Sequence, residues 1–565
     1  MIEKCLKKCF CCLSVALAST FVGFNSQAQI PQLPDTPPPE VPPLLPAPED
    51  LLPIPTPPVT QPEQLPSSIP GTITVNKFKF EGNTAFTNEQ LAEVIAPYTG
   101  RELSFAELLE ARSAITQLYV DNGYLTSGAF IPPQEFALGV VTIEIVEGTL
   151  EEINVEVEGK LNPDYVGSRL EVASGKPLNV PKLLEALQML QLSPLIDTIS
   201  AELAAGPRPG TSSLQVKVVS ARTFIGEVIL DNGRSPAVGS FRRIVTVGDN
   251  NLFGIGDSFN VSYRNTDGSD DIELGYDIPL TPYNTTFYFG YRHIWAEIIE
   301  SPFDVLDIES KYVKYEGGIR QPLIRNPNQE FAIGLSFDYQ RSETTLLGEP
   351  FPFPYSGADD EGKNRVSSLR FYQEWTDRNE KQVIAARSQF NFGIDAFDNT
   401  TQPNPPDSRY FSWRGQAQWV RLLAEDTVLL ARTELQLADT ALVPIEKYSL
   451  GGLGSVRGYR QDFLLTDNGW FASVEVRLPI YRQEEKEAVL QVVPFFDFGT
   501  GWNNDGSPEI EEDQTLASVG LGLQFQVSDN FTARVDWGIP LIEVNTEERT
   551  WQENGILFTI RLSPF

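Results

Sequence analysis

Residues 517–527 read Ala-Ser-Val-Gly-Leu-Gly-Leu-Gln-Phe-Gln-Val. A period of two runs through them. Ala517, Val519, Leu521, Leu523, Phe525 and Val527 share one face, and Ser518, Gly520, Gly522, Gln524 and Gln526 share the other. Successive side chains of a strand point to opposite sides of the sheet, so this is one strand with an apolar and a polar face. Residues 411–419 repeat it, with Phe411, Trp413, Ala417 and Trp419 against Ser412, Arg414, Gln416 and Gln418. So do residues 429–437, with Leu429, Ala431, Leu435 and Leu437 against Leu430, Arg432, Glu434 and Gln436. A soluble sandwich is the plain alternative, but little helix lies nearby to cover the apolar faces. A closed membrane barrel, apolar outside and polar inside, accounts for both.

Such segments, from 222–231 through 309–320 and 330–341 to 553–563, number sixteen, an even count. Short turns such as Asp529-Asn530 alternate with longer polar connections such as 343–364 and 504–514. Short periplasmic turns and long outer loops are the pattern of outer-membrane barrels. The expected fold over 221–565 is a transmembrane antiparallel β-barrel of sixteen strands.

Two motifs lie within it. Residues 451–459 read Gly-Gly-Leu-Gly-Ser-Val-Arg-Gly-Tyr. Gly451, Gly452, Gly454 and Gly458 surround one cation, Arg457, with Val456 and Tyr459 beside it. On the strand count this stretch belongs to the sixth outer connection, 439–466, a loop able to fold inward. Residues 495–499 read Phe-Phe-Asp-Phe-Gly on the thirteenth strand. Alternation sets Asp497 opposite Phe496 and Phe498, hence into the lumen; Phe495 and Gly499 flank that set. A glycine-rich reversal carries little side-chain bulk, so a loop turned into the lumen sets Arg457 against Asp497. An arginine left in solvent on an ordinary loop is the bland reading, and the paired motif argues against it.

The N-terminal third differs. Lys4, Lys7 and Lys8 precede a short apolar run and Ser26-Gln27-Ala28 follows it, so 1–28 reads as a signal peptide. All four cysteines lie there, leaving the mature chain no disulfide or thiolate site. Residues 29–70 hold sixteen prolines and only acidic charges, the composition of an extended linker. Residues 71–148 order as β-α-α-β-β, with a first strand over 73–80, a first helix over 88–96, and Ser104 and Glu107 forming a capping box at the second helix. Residues 149–220 repeat that order. A net charge of −33 argues against nucleic acid as a partner. The one histidine, His293, sits in an aromatic run and suits packing better than catalysis.

Together these residues resemble the two-partner secretion transporters, the haemolysin-activator or TpsB family of the wider BamA/TpsB superfamily. Val456-Arg457-Gly458-Tyr459 resembles the family's loop-tip motif, and Phe495-Phe496-Asp497-Phe498-Gly499 its partner on strand thirteen. Asp231-Asn232-Gly233 and the run 249–257 are similar to its opening strands, and the two α/β modules to its periplasmic POTRA domains. The resemblance implies an outer-membrane protein that captures a secreted, TpsA-like exoprotein in the periplasm. It would export that client without ATP, with Arg457 and Asp497 as a latch. It implies no enzyme activity, cofactor or metal. Its other partners would be outer-membrane lipid and the barrel-assembly machinery, which the terminal Phe565 suits. Helical plugs found in the family find no match in the proline-rich N-terminus. A barrel-insertion factor shares the loop motif but usually carries more POTRA modules, and a passive porin has no use for them.

Overall fold

The computed structural model describes Leu52 and residues 72–134, 139–208, 210–353, 356–505, 507, 515–544 and 550–564. The expected signal peptide (1–28) and, apart from Leu52, the expected linker (29–70) lie outside the described residues. The described chain divides into two compact units between Arg222 and Thr223.

The N-terminal unit contains two α/β modules. In the first, β1 (Ile73–Val75) and β2 (Lys77–Glu81) lead to α1 (Asn88–Val94), β3 (Arg101–Leu103), α2 (Phe105–Asp121), β4 (Gly128–Phe130) and β5 (Val140–Val146). β5 is central, parallel to β2 and antiparallel to β4. Alternation in Lys-Phe-Lys-Phe-Glu buries Phe78 and Phe80 against Leu91, Leu108, Ile115 and Tyr119. Ser104 caps α2 as expected: its hydroxyl accepts from the Glu107 N–H, and Glu107 accepts from the Ser104 N–H.

Two expectations need correction here. The stretch 73–80 is two strands, because the Asn76 N–H donates to the Gly139 carbonyl at 2.7 Å and β1 pairs with β3 instead. The helix expected to reach Ala96 ends at Val94 and tightens into a 3₁₀ turn over Ala96–Tyr98. Pro97 disfavours helical geometry at the residue before it.

The second module runs β6 (Thr149–Glu158), α3 (Pro163–Ser174), α4 (Val180–Gln191), β7 (Ile196–Ala205), β8 (Thr211–Ser220). Its sheet order is β6-β8-β7, again with a parallel pair beside an antiparallel one. Leu52 is buried in the same cluster as Leu170, Leu183, Leu187 and Val216. The proline-rich stretch is therefore not wholly a spacer, since one of its leucines completes this core.

The C-terminal unit is a closed antiparallel barrel of sixteen strands. The sixteenth (Ile556–Leu562) pairs with the first (Phe224–Asp231) through Thr559–Asp231, Ile560–Leu230, Arg561–Ile229 and Leu562–Val228. Alternation sets the faces as expected. On the fourteenth strand (Thr515–Val527), Val519, Leu521, Leu523 and Phe525 are exposed, whereas Ser518 and Gln524 are buried. An outward apolar face suits lipid, and a ladder closed on itself leaves no edge to satisfy in the bilayer. No described helix is long and apolar enough to cross a membrane. His293 stacks on Trp295 at 3.6 Å and lies 3.2 Å from the Tyr291 hydroxyl, within an aromatic cluster.

Candidate functional site

The segment between the eleventh (Thr427–Ala438) and twelfth (Asn468–Gln483) strands folds as a hairpin. Tyr448–Leu450 pairs with Leu464–Thr466, and the tip, 451–463, carries the glycine-rich motif. Gly451, Gly452 and Gly458 all have positive φ, at 106°, 91° and 96°. A side chain is strained in that region, and glycine is not. Gly454 has open space around it.

The tip places Arg457 in a cage. Its Nε donates to Asp497 Oδ2 at 2.8 Å and its Nη2 to Asp497 Oδ1 at 2.9 Å, the two-pronged geometry a guanidinium shares with a carboxylate. The Arg457 backbone N–H donates to the same Oδ2 at 3.1 Å. On the other prong, Nη1 donates to Glu475 Oε2 at 2.9 Å. Ser473, opposite Asp497 on the twelfth strand, donates its hydroxyl to Asp497 Oδ1 at 2.6 Å. The guanidinium carbon stands 3.6 Å above the centre of the Phe495 ring. Arg457 is 2 % exposed and Asp497 0 %.

The glycines of the wall explain the rest of both motifs. A Cβ at Gly499 would stand 2.8 Å from Val456 Cγ2 and 2.9 Å from Leu450 Cδ2, so this glycine is the seat for the hairpin's apolar side. There Val456, Leu450, Tyr448, Tyr459 and Leu464 pack with Phe471 and Leu516 of the wall. The Tyr459 hydroxyl lies 2.9 Å from the Ala517 carbonyl and 3.0 Å from that of Ile542. Phe496 points outward at 46 % exposed, and Phe498 meets Trp470 at 5.3 Å between ring centres.

The structure brings Arg457 and Asp497 together, whereas Gly454 and Phe496 lie away from their contact. Two partners, Glu475 and Gly538, escaped sequence reasoning, and so did the role of Phe495. Glu475 reaches Arg457 from the neighbouring strand and also accepts from Arg477 and Arg534. Phe495 acts through its ring under the guanidinium. Gly538, on the fifteenth strand (Phe531–Pro540), lies against the tip, where a Cβ would stand 2.5 Å from the Gly458 nitrogen. Strand alternation puts Glu475 in the lumen, but only the register between strands shows which cation it meets. Among the described residues, no group of three or more metal-ligating side chains occurs.

Comparison with known proteins adds independent findings. The pattern of the haemolysin secretion/activation protein ShlB/FhaC/HecB matches residues 210–525, and that of the ShlB-type POTRA domain matches residues 73–148. The heme/hemopexin transporter protein HuxB of Haemophilus influenzae strain 86-028NP is 24 % identical over 479 residues, covering 81 % of this chain and 82 % of that one. The outer membrane transporter CdiB of Escherichia coli O6:K15:H31 strain 536 is 22 % identical over 497 residues, covering 83 % and 79 %. Of solved structures, CdiB from Escherichia coli superposes with a TM-score of 0.67 at 19 % identity, over 89 % of this chain and 93 % of that one. BamA from Haemophilus ducreyi lacking POTRA domains 1–3 gives 0.53 at 14 % identity, over 87 % and 100 %. At these identities the structural likeness concerns the fold alone.

Proposed function

Because the chain belongs to the haemolysin secretion/activation proteins of the ShlB/FhaC/HecB type, we propose that the contact of Arg457 with Asp497 is the latch of its export pore. The chain is an outer-membrane transporter of two-partner secretion with its POTRA modules in the periplasm. It acts with a secreted exoprotein of the TpsA kind. In our reading the modules capture that client by adding one of its strands to a sheet edge, a mode that needs only main-chain pairing. The outer strands available for this are β2 and β4 in one sheet and β6 and β7 in the other. The client then passes through the polar lumen without ATP, drawn by its folding outside. Lipid contacts the outward apolar face, and the barrel-assembly machinery inserts the protein.

One observation carries the latch. A hairpin that starts and ends on the outer side buries its tip cation Arg457 on two carboxylates of the inner wall. Removing one partner of a buried pair typically costs about 3–5 kcal/mol, because the other charge is left uncompensated. So strong a contact holds the hairpin in the lumen at rest and must break when a client passes. Arg457→Ala and Asp497→Ala are expected to leave the barrel inserted and heat-modifiable on gels while sharply lowering export of the co-expressed client. Full secretion from both variants would refute the latch. General loss of outer-membrane proteins on depletion would point instead to an insertion factor.

A further inference from the structure

The base of the same hairpin has a second seat, on a different part of the wall. Before its first strand the hairpin makes a 3₁₀ turn, Pro444–Glu446. Leu442, Val443 and Ile445 pack there with Ile294, Tyr312 and Val366 of the fifth, sixth and eighth strands. Glu446 extends beyond them. Its Oε1 accepts from Arg370 Nη2 at 2.9 Å, and its Oε2 from Arg370 Nη1 at 3.3 Å. Gln340 Nε2 donates to Oε1 at 2.9 Å. All three side chains come from separate parts of the chain: Glu446 from the hairpin, Gln340 from the seventh strand (Gln329–Leu346), Arg370 from the eighth (Lys363–Asn379). The Glu446 side chain is 4 % exposed.

The charges are reversed relative to the tip. At the tip the hairpin carries the cation; at the base it carries the anion. The two seats also differ in what the wall keeps when the hairpin leaves. Asp338, fully buried, pairs with Arg370 on the wall and accepts from Gln340 Nε2 at 2.7 Å. Arg370 therefore retains a carboxylate without Glu446. Among the described residues Asp497 has no such second cation within pairing distance, and its remaining side-chain partner is the Ser473 hydroxyl. Breaking the base contact leaves no bare charge on the wall, and breaking the tip contact does.

We propose that Glu446 is a second positioning residue of the export pore, an anchor that holds the hairpin base against Arg370 at rest and releases at lower cost than the tip. This rests on the reading of the hairpin as the resting closure of the pore. Glu446→Gln keeps the shape and removes the charge, so the barrel should assemble normally. The test compares wild type, Glu446→Gln, Glu446→Ala and Arg457→Ala, each as the full protein in planar lipid bilayers, with gel mobility as the check on folding. A net hydrogen bond to a charged group corresponds to roughly a ten- to hundredfold change in an equilibrium. Both Glu446 variants should raise the open-to-closed ratio by about that factor, and the double variant Glu446→Gln/Arg457→Ala should exceed Arg457→Ala alone. If Arg457→Ala opens the pore and both Glu446 variants conduct as wild type, the anchor is overturned and the closure stands. If neither residue changes conduction, the closure itself is wrong and the anchor with it.

Discussion

A single methyl group at Gly538 should open the pore without touching any charge. Built on this backbone, it would stand 2.5 Å from the Gly458 nitrogen, 2.7 Å from the Arg457 carbonyl carbon and 2.8 Å from the Gly458 Cα. All three are main-chain atoms, so no rotamer change relieves the overlap. Ordinary contact needs roughly 3.5 Å, and the tip must therefore back away by about 1 Å. Arg457 then leaves hydrogen-bond range of Asp497, where its contacts are now 2.8 and 2.9 Å. Overpacking of this kind costs about 1–3 kcal/mol. At about 1.4 kcal/mol per factor of ten, the docked hairpin loses roughly five- to hundredfold in population. The barrel itself should be unharmed, because Gly538 lies in regular strand opposite Gly520 and alanine is at home there. Single-channel recording of Gly538→Ala should show a higher open fraction than wild type, with unchanged heat-modifiable mobility. A folded Gly538→Ala protein that conducts like wild type would refute the idea that the tip must sit flush on the fifteenth strand.

Phe495→Leu removes the ring beneath Arg457 and keeps the apolar volume. A cation over an aromatic face contributes about 0.5–2 kcal/mol, so the open fraction should rise less than for Gly538→Ala, and an effect as large as that of Arg457→Ala would overturn this ranking. In the first POTRA module Glu147 accepts from the Thr84 N–H at 2.7 Å, the Ala85 N–H at 2.8 Å and the Tyr119 hydroxyl at 2.7 Å. Burial pushes its pKa up, but these bonds outweigh burial and hold it below the ordinary 4.5. A depressed carboxylate stabilises the fold above its ordinary value, and that stability fades as pH falls through the lowered one. Melting of the purified N-terminal unit, Leu45–Arg222, should thus weaken below about pH 4.5, while Glu147→Gln should be flatter there and less stable at neutral pH by about 1–3 kcal/mol. Identical pH profiles would count against the clasp.

The barrel and the contact of Arg457 with Asp497 were legible in the sequence for different reasons. Alternation is strong wherever lipid lies on one side and water on the other, so 517–527 and 411–419 gave away their faces. The sixth and seventh strands are a harder case. They run Ile308–Arg325 and Gln329–Leu346, well beyond the 309–320 and 330–341 that the pattern suggests. Their added ends include Thr344, Thr345 and Arg325, whose polarity hides the period. Arg457 and Asp497 were readable because each is a lone charge in an uncharged motif. Glu475, Glu446 and Arg370 were not, since many lumenal strands carry such charges and only inter-strand register decides which of them meet. Gly538 was silent for another reason: a glycine in a strand advertises missing bulk, not the backbone that comes to rest on it.

The hairpin rests on a ribbon of missing side chains. Gly469, Gly499 and Gly501 face Tyr448, Val456 and Thr466 of the hairpin, and Gly538 faces Gly458. When the hairpin withdraws, these four positions of its wall present only main chain. Their amides and carbonyls are already spent on neighbouring strands, so they offer a travelling polypeptide no new partner. The glycines that let the hairpin fit tightly thus also leave, at these four positions, a wall of main chain with no side chain of its own to fill the space the hairpin vacates.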